Sequence, residues 1–156
     1  PVWADIGAGD GAFTLALAEL LGPGATLYIV DRDGRSLARG AEQTGRRFPG
    51  VAVRPVVGDF TRPLDLPPLD GLVMANALHF IRDREPLVRQ LRGLLKPGGR
   101  FLIVEYNTDR GNLWVPHPFS YKTWARAAAR AGFSETRLIG RRPSRFLGEI
   151  YSAASW

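Results

Sequence analysis

Cysteine is absent from this chain of 156 residues, which also contains only two histidines and one methionine. Without cysteine there is no disulfide bond, no thiolate metal ligand and no cysteine nucleophile. The two histidines, His79 and His117, are far apart in the sequence, and no cluster of acidic residues accompanies them. The sequence therefore predicts no metal site.

Long apolar runs are lacking as well. No stretch approaches the roughly 20 residues that a membrane-spanning helix needs, and no basic segment followed by an apolar one marks a secretion signal. We therefore expect a cytoplasmic protein that does not act at a membrane. Because the chain opens at Pro1, directly before a strand-like run, we also expect an N-terminal cap to be absent or truncated.

Lysine is scarce, although the formal net charge is +6. Arginine supplies nearly all of the positive charge, since only Lys96 and Lys122 are lysines. The densest basic groups, Arg46–Arg47 and Arg141–Arg142, are too small to make a track for phosphates. The sequence thus predicts no specific nucleic-acid partner, and it leaves the oligomeric state open.

Strand-like apolar runs alternate with helical patterns along the chain, which is typical of βαβ units around a parallel sheet. The hydrophobic fraction of 45% and the charged fraction of 23% are those of an ordinary globular protein, so we expect one domain over residues 1–156. The last two strand-like runs are too close together for a helical crossover and must pair as a hairpin. The predicted strands are residues 2–6, 25–30, 51–57, 69–76, 100–106, 135–140 and 146–152, and the predicted helices are 12–21, 34–46, 84–95 (capped by Asp83) and 121–131. The expected fold class is α/β: a doubly wound, mostly parallel seven-stranded sheet that closes with a C-terminal antiparallel hairpin.

The connection between the fifth strand and the last helix, residues 107–119, is long for such a link, which favours a functional loop. Four ring side chains in it or beside it could form a wall for a small or flat ligand: Trp114, His117, Phe119 and Tyr121. Ordinary packing within the loop is the alternative.

A glycine-rich turn, Asp-Ile-Gly-Ala-Gly-Asp-Gly at residues 5–11, joins the first strand to the first helix. Glycines at such a turn allow the backbone to approach a ligand closely, and ligands of open α/β sheets bind beyond the carboxyl ends of the strands. Gly7, Gly9 and Ala12 also satisfy the dinucleotide pattern G-x-G-x-x-G/A, and Asp31 at the end of the second strand suits any ribose. The turn alone therefore leaves a nicotinamide cofactor and other adenosine cofactors open.

Four segments together resemble the class I, Rossmann-like, S-adenosylmethionine-dependent methyltransferases. Residues 5–11 are similar to motif I of that family, and Val30–Asp31 is similar to its motif II. Gly58-Asp59-Phe60 resembles the acidic segment after the third strand, and residues 94–101, Leu-Leu-Lys-Pro-Gly-Gly-Arg-Phe, resemble the turn into the fifth strand. The predicted closing hairpin matches the family's antiparallel seventh strand, which dinucleotide dehydrogenases usually lack. The resemblance covers nearly the whole chain and favours S-adenosylmethionine over a nicotinamide cofactor.

The resemblance also implies roles for individual residues in cofactor binding. The backbone of Gly7 and Gly9 would pass against the cofactor, and Asp5 would help to hold the methionyl ammonium. Asp31 would accept both ribose hydroxyls, and Asp59 would accept from the adenine amino group. The other members of the expected cofactor site are Arg32, Phe60 beside the adenine ring, and Asn76 near the methionyl part.

On the acceptor side, residues that follow the fourth and fifth strands should face the transferable methyl. His79 and Tyr106 are the candidate catalytic residues, with His79 the natural base near neutral pH. The signature Asn-Pro-Pro-aromatic or Asp-Pro-Pro-aromatic, found in enzymes that methylate nucleic-acid amino groups, is replaced in this chain by Asn76-Ala77-Leu78-His79. The expected function is methylation of a small-molecule acceptor at O, N or C. The alternative is a cofactor-binding domain without catalysis of its own, such as a regulatory subunit.

Overall fold

The computed structural model describes residues 1–156 and contains seven strands, four α-helices and one short 3-10 helix, Leu78–Phe80. The strands are β1 (Val2–Ile6), β2 (Thr26–Asp31), β3 (Ala52–Val57), β4 (Leu69–Ala75), β5 (Leu95–Tyr106), β6 (Thr136–Ser144) and β7 (Gly148–Ser155). The α-helices are α1 (Ala12–Leu21), α2 (Gly34–Arg47), α3 (Glu85–Arg92) and α4 (Tyr121–Ala131). None of these helices is both long enough and apolar enough to cross a membrane.

All seven strands form one sheet in the order β3-β2-β1-β4-β5-β7-β6. The first five strands pair in parallel, whereas β7 is antiparallel to both β5 and β6. The order reverses between β1 and β4, and a crevice for ligands opens at such a reversal, outside the carboxyl ends of the strands. The predicted fold class is confirmed, including the closing hairpin.

Each face of the sheet carries its own core, because successive side chains of a strand point to opposite sides. In β4, Leu72 and Met74 belong to the larger core, with α3 and α4, whereas Val73 belongs to the smaller one, with α1 and α2. The apolar run of β4 is therefore buried on both faces, as predicted.

The structure corrects the third predicted helix at both ends. It begins at Glu85 after Arg84 rather than after Asp83, and no side chain caps it. It ends at Arg92 instead of continuing through Leu95, because the carbonyl of Leu94 accepts from the amide of Leu69 and so serves the sheet. The Lys-Pro-Gly-Gly segment, predicted to be a turn before the fifth strand, lies inside β5, where the register with β4 shifts.

The hairpin is longer than predicted, with β6 reaching Ser144 and β7 reaching Ser155. The turn between them is short, and Leu147 adopts the left-handed conformation with φ of 56°. The prediction ended the first strand of the hairpin at Gly140, before Arg141 and Arg142. Pairing with β7 continues through these residues nonetheless.

The two strands at the sheet edges are β3 and β6, and most of their side chains are exposed. Each carries a proline beside arginine: Arg54-Pro55 in β3 and Arg142-Pro143 in β6. In β6 the register with β7 also shifts between Leu138 and Gly140.

Candidate active site

The glycine-rich turn after β1 is held against the end of β2 by backbone hydrogen bonds. The amides of Gly7 and Ala8 both donate to the carbonyl of Val30, at 2.8 and 3.0 Å. The amide of Gly9 donates to the Asp31 carboxylate at 2.9 Å. Asp31 therefore organises the turn from the neighbouring strand, and these two sequence-predicted segments meet in the structure.

Gly7 and Gly9 both have positive φ, at 77° and 53°, where a side chain is strained. Their surroundings differ. A Cβ on Gly7 would lie 2.7 Å from the Cβ of Ala77 and 3.5 Å from the ring of Phe60, whereas a Cβ on Gly9 would meet nothing within 4 Å. Gly7 thus allows the turn to pack against the segment after β4, and Gly9 faces open space.

Three carboxylates surround this turn. Asp5 is buried beneath α1 and accepts a 2.6 Å hydrogen bond from the Thr14 hydroxyl. Burial raises the pKa of Asp5 to about 6, against the opposing effect of Thr14, and the charge of Asp31 raises it further. Asp10 is exposed and pairs with Arg39 at 3.1 Å. The turn therefore has three carboxylates in it or beside it, of which Asp10 is paired with Arg39.

Asp59 and Phe60 follow β3, and they lie with the glycine turn at the carboxyl ends of the parallel strands. The hydroxyl and amide of Thr61, together with Arg32 at 3.1 Å, lower the pKa of Asp59 to about 2. Asp59 is thus a carboxylate whose orientation is set by three hydrogen-bond partners. Phe60 lies over Gly7, so the third-strand segment also reaches the glycine turn.

Asn76 directly follows β4 and adopts the left-handed conformation, with φ of 53°. Its side-chain oxygen, Oδ1, is buried and has no hydrogen-bond partner in the chain. A strained backbone and an unsatisfied buried acceptor both cost free energy, of the order of 1–3 kcal/mol each. Together they mark the end of β4, next to Gly7 and Ala77, as a place where a ligand donor would be accommodated.

His79 and Glu105 form a buried pair at the ends of β4 and β5. His79 Nδ1 lies 2.8 Å from Glu105 Oε2, and the His79 amide donates to Glu105 Oε1 at 3.2 Å. The side chains are 4% and 0% exposed, so little solvent screens the pair. The other ring nitrogen, Nε2, has no hydrogen-bond partner in the chain and keeps a small contact with solvent.

Hydrogen bonds from neighbouring residues hold this pair in place. The carbonyl of His79 accepts from the amide of His117, whose own carbonyl accepts from Arg84 at 3.1 Å. The charge of Glu105 also acts on Arg84 and on Tyr151; burial lowers the pKa of Arg84 and raises that of Tyr151, which stays a neutral phenol. The loop of residues 107–119 is therefore bound to the 3-10 helix that carries His79.

The aromatic wall predicted in that loop does not form. Phe119 is fully buried, and Tyr121 packs against Tyr151 with ring centroids 6.1 Å apart. Trp114 is 71% exposed and makes no aromatic contact. These rings were placed by their position in the sequence, but the hydrogen bonds of the loop turn them into the core or into solvent.

The rings that do surround His79 come from other elements. Phe80 lies 4.4 Å from His79 and Tyr106 lies 6.0 Å from it, both between ring centroids. Tyr106 in turn contacts Phe146 edge to face at 5.4 Å. Phe146 belongs to the turn between β6 and β7, and no feature of the sequence marked it as a site residue.

The structure thus brings the predicted residues together, in two groups, at the carboxyl ends of the parallel strands. The glycine turn collects the expected cofactor residues Asp5, Gly7, Gly9, Asp31, Arg32, Asp59, Phe60 and Asn76, and the ends of β4 and β5 collect His79 and Tyr106. Ala77, in contact distance of Gly7, lies two residues from His79 and so links the two groups. The structure gathers no set of three or more histidine or acidic side chains suited to a metal ion.

A family model described as a methyltransferase domain matches residues 4–101, more than half of the chain. This chain belongs to the methyltransferase domain family. The matched residues run from β1 into β5 and include the glycine turn, Asp31, Asp59 and His79.

Individual methyltransferases are also similar to this chain in sequence or in structure. The ubiquinone/menaquinone biosynthesis C-methyltransferase UbiE of Caulobacter vibrioides is 34% identical over 87 residues, covering 55% of this chain and 33% of that protein. The acetylserotonin O-methyltransferase of Mus musculus is 32% identical over 165 aligned positions, covering 91% of this chain and 41% of that protein. Among solved structures, human N-acetylserotonin methyltransferase in complex with SAM superposes with a TM-score of 0.67 at 20% identity, over 99% of this chain and 47% of that one. The chain therefore spans less than half the length of each of these proteins.

Proposed function

We propose that this methyltransferase domain uses S-adenosylmethionine to methylate a small molecule and that His79 acts as the base for the acceptor. The observation that carries the proposal is the buried His79–Glu105 pair. This pair lies at the carboxyl ends of the parallel strands, as does the glycine turn with its neighbouring carboxylates. The first feature suits proton transfer, and the second suits a positively charged cofactor. Family membership and the SAM-bound relative support the choice of cofactor.

The residues at the glycine turn fit S-adenosylmethionine. The open space at Gly9 leaves room for a ligand against the backbone. Two backbone amides, of Gly9 and Asp33, already donate to Asp31, and a carboxylate has about four acceptor sites, so two remain for a ribose diol. The unpartnered Oδ1 of Asn76 and the carboxylate of Asp5 would hold the methionyl ammonium.

The electrostatics of the turn favour this cofactor over a dinucleotide. The three nearby acids, Asp5, Asp10 and Asp31, would repel a pyrophosphate but attract an ammonium or a sulfonium. Moreover, the amides of Gly7, Ala8 and Gly9 already donate within the protein, so they are not free to cradle a phosphate.

The chemistry of the acceptor side rests on the orientation of His79. When bound, S-adenosylmethionine supplies a methyl group that is activated by a positively charged sulfur. Glu105 accepts the proton on Nδ1, which leaves Nε2 unprotonated and facing the surface. Nε2 can then take the proton of an acceptor hydroxyl or amine, and Glu105 stabilises the imidazolium that results. A domain that only binds the cofactor has no need for such a pair.

Isothermal titration calorimetry with S-adenosylhomocysteine, NAD and NADP tests the cofactor assignment. We expect binding of S-adenosylhomocysteine and none of the two dinucleotides. Turnover with labelled S-adenosylmethionine across a pool of hydroxylated and aminated small molecules tests the catalysis. Binding without any turnover would favour the regulatory alternative, and binding of NAD alone would contradict the proposal.

The pH dependence of cofactor affinity tests the role of Asp5. Because the folded pKa of Asp5 is raised from 3.8 to about 6, its carboxylate is mostly protonated at pH 5 and mostly ionised at pH 7. An ammonium favours the ionised form, so binding lowers the pKa and releases a proton. We therefore expect the affinity for S-adenosylhomocysteine to rise by up to about tenfold between pH 5 and pH 7 and to level off above.

Asp5→Asn is the matched control, because the amide keeps the shape and does not titrate. Calorimetry should show this pH dependence strongly reduced in the variant. An equal slope in Asp5→Asn and the natural chain would show that another group is responsible.

A further inference from the structure

Four aromatic rings form a continuous row near the carboxyl ends of β4 and β5. In order they are Phe80, His79, Tyr106 and Phe146, and successive ring centroids are separated by 4.4, 6.0 and 5.4 Å. The row is assembled from three elements: the 3-10 helix, the end of β5 and the hairpin turn. We refer to these four residues as the aromatic row.

The ends of the aromatic row are open to solvent. Phe80 is 57% exposed and Phe146 is 38% exposed, whereas the His79 ring between them is almost entirely buried. Neighbouring apolar rings that stay exposed on a soluble protein commonly mark a binding site. The row is thus a mainly apolar surface of mutually tilted rings, with interplanar angles of 46° to 72°, and its polar atoms include Nε2 of His79 and the Tyr106 hydroxyl.

The hairpin turn places Phe146 at this surface through specific local contacts. The amide of Phe146 donates to the Ser144 hydroxyl at 3.1 Å, and Leu147 takes the left-handed conformation that closes the turn. The register of β5 with β7 sets Tyr106 opposite Ile150, close to this turn. Phe146 is therefore held against Tyr106 by the geometry of the hairpin.

We propose that the aromatic row is the acceptor site and that the acceptor is a planar aromatic molecule with a hydroxyl group. This inference rests on the proposed function, since it supplies the substrate class for the base His79. Flat faces suit stacked or edge-to-face contacts with Phe80 and Phe146, and such aromatic pairs contribute more than their buried area alone. The hydroxyl of a ring lying on the row would donate to Nε2 of His79. Phe146 is then the residue that determines specificity.

Two probes of similar carbon skeleton distinguish aromatic recognition from general hydrophobic binding. 2-Naphthol is planar and aromatic, and decahydro-2-naphthol is its saturated, puckered counterpart. We expect the natural chain to bind 2-naphthol at least about fivefold more tightly, by calorimetry or saturation-transfer NMR in the presence of S-adenosylhomocysteine. Equal affinity for the two probes would overturn the inference.

Variants then locate the binding. Phe146→Leu keeps an apolar side chain but removes the ring, and it should reduce the affinity for 2-naphthol about fivefold while leaving that for decahydro-2-naphthol nearly unchanged. Phe80→Leu should act in the same direction. The control is Ile139→Ala, since Ile139 is 61% exposed on β6 of the same hairpin but lies outside the aromatic row. An unchanged preference for 2-naphthol in both phenylalanine variants would also overturn the inference.

S-Adenosylhomocysteine binding, measured on the same samples, separates this inference from the proposed function. If the natural chain binds S-adenosylhomocysteine but shows no preference for 2-naphthol, the inference about the aromatic row is wrong and the proposed function is not affected. Absence of S-adenosylhomocysteine binding in the natural chain contradicts the proposed function, and the two naphthol probes still decide whether the row binds aromatic rings.

Discussion

Replacing Asp31 by alanine is expected to weaken the binding of S-adenosylhomocysteine by roughly 2–4 kcal/mol, which is about 30-fold to 1000-fold. Two effects add in this variant. The ribose hydroxyls lose a charged acceptor, and the amide of Gly9 loses the partner that holds the glycine turn. Calorimetry at neutral pH measures the change.

Asp65→Ala is the matched control, because Asp65 is an exposed aspartate that forms no ion pair or hydrogen bond in the structure. It should bind like the natural chain. Thermal unfolding of both variants checks that the fold is kept. If Asp31→Ala binds S-adenosylhomocysteine as tightly as the natural chain, Asp31 does not hold the ribose, and the map of the cofactor side fails with it.

Removing the proposed base should lower turnover and leave the affinity for the cofactor nearly unchanged. We expect His79→Ala to lower kcat by about 10²-fold to 10⁴-fold with a hydroxylated acceptor, and its affinity for S-adenosylhomocysteine to stay within a few-fold. Glu105→Gln should cause a loss of similar order, because its amide can donate to Nδ1 and thereby force the proton onto Nε2. The imidazole would then be present in the wrong tautomer.

The remaining histidine provides the control. His117 meets the site only through its backbone, so His117→Ala should keep most of the activity. With a phenolic acceptor, whose hydroxyl ionises near pH 10, the deficit of His79→Ala should shrink as the pH approaches that value. A deficit that stays constant with pH would mean that His79 positions the acceptor instead of taking its proton.

The sequence predicted those parts of the site that depend on neighbouring residues. The glycine turn and its contact with Asp31 follow from a strand-turn-helix unit beside a second parallel strand, so their meeting is set by the βαβ geometry. The strand ends that carry Asp59, Asn76 and His79 were predicted to within about one residue for the same reason. Local patterning and the rules of sheet topology therefore determine the glycine turn and the strand ends around it.

The acceptor side was less predictable because it depends on contacts between distant segments. Nothing near Phe146 in the sequence indicates that it reaches Tyr106, since this contact requires the register of β7 on β5 and the shape of the hairpin turn. The pairing of His79 with Glu105 likewise joins residues 26 positions apart. Trp114 and Phe119 show the opposite error: both lie in the expected loop, but its hydrogen bonds direct them elsewhere.

The two edge strands, β3 and β6, indicate a structural role for some of the arginines. An exposed edge strand offers unpaired amides and carbonyls to any other extended chain, which makes it a starting point for aggregation. Proline removes one of those amides, arginine adds charge that a second copy would repel, and a register shift bends the strand; β3 has the first two of these features and β6 has all three. We therefore expect part of the net positive charge to oppose edge-to-edge association of the folded protein, independently of any anionic ligand.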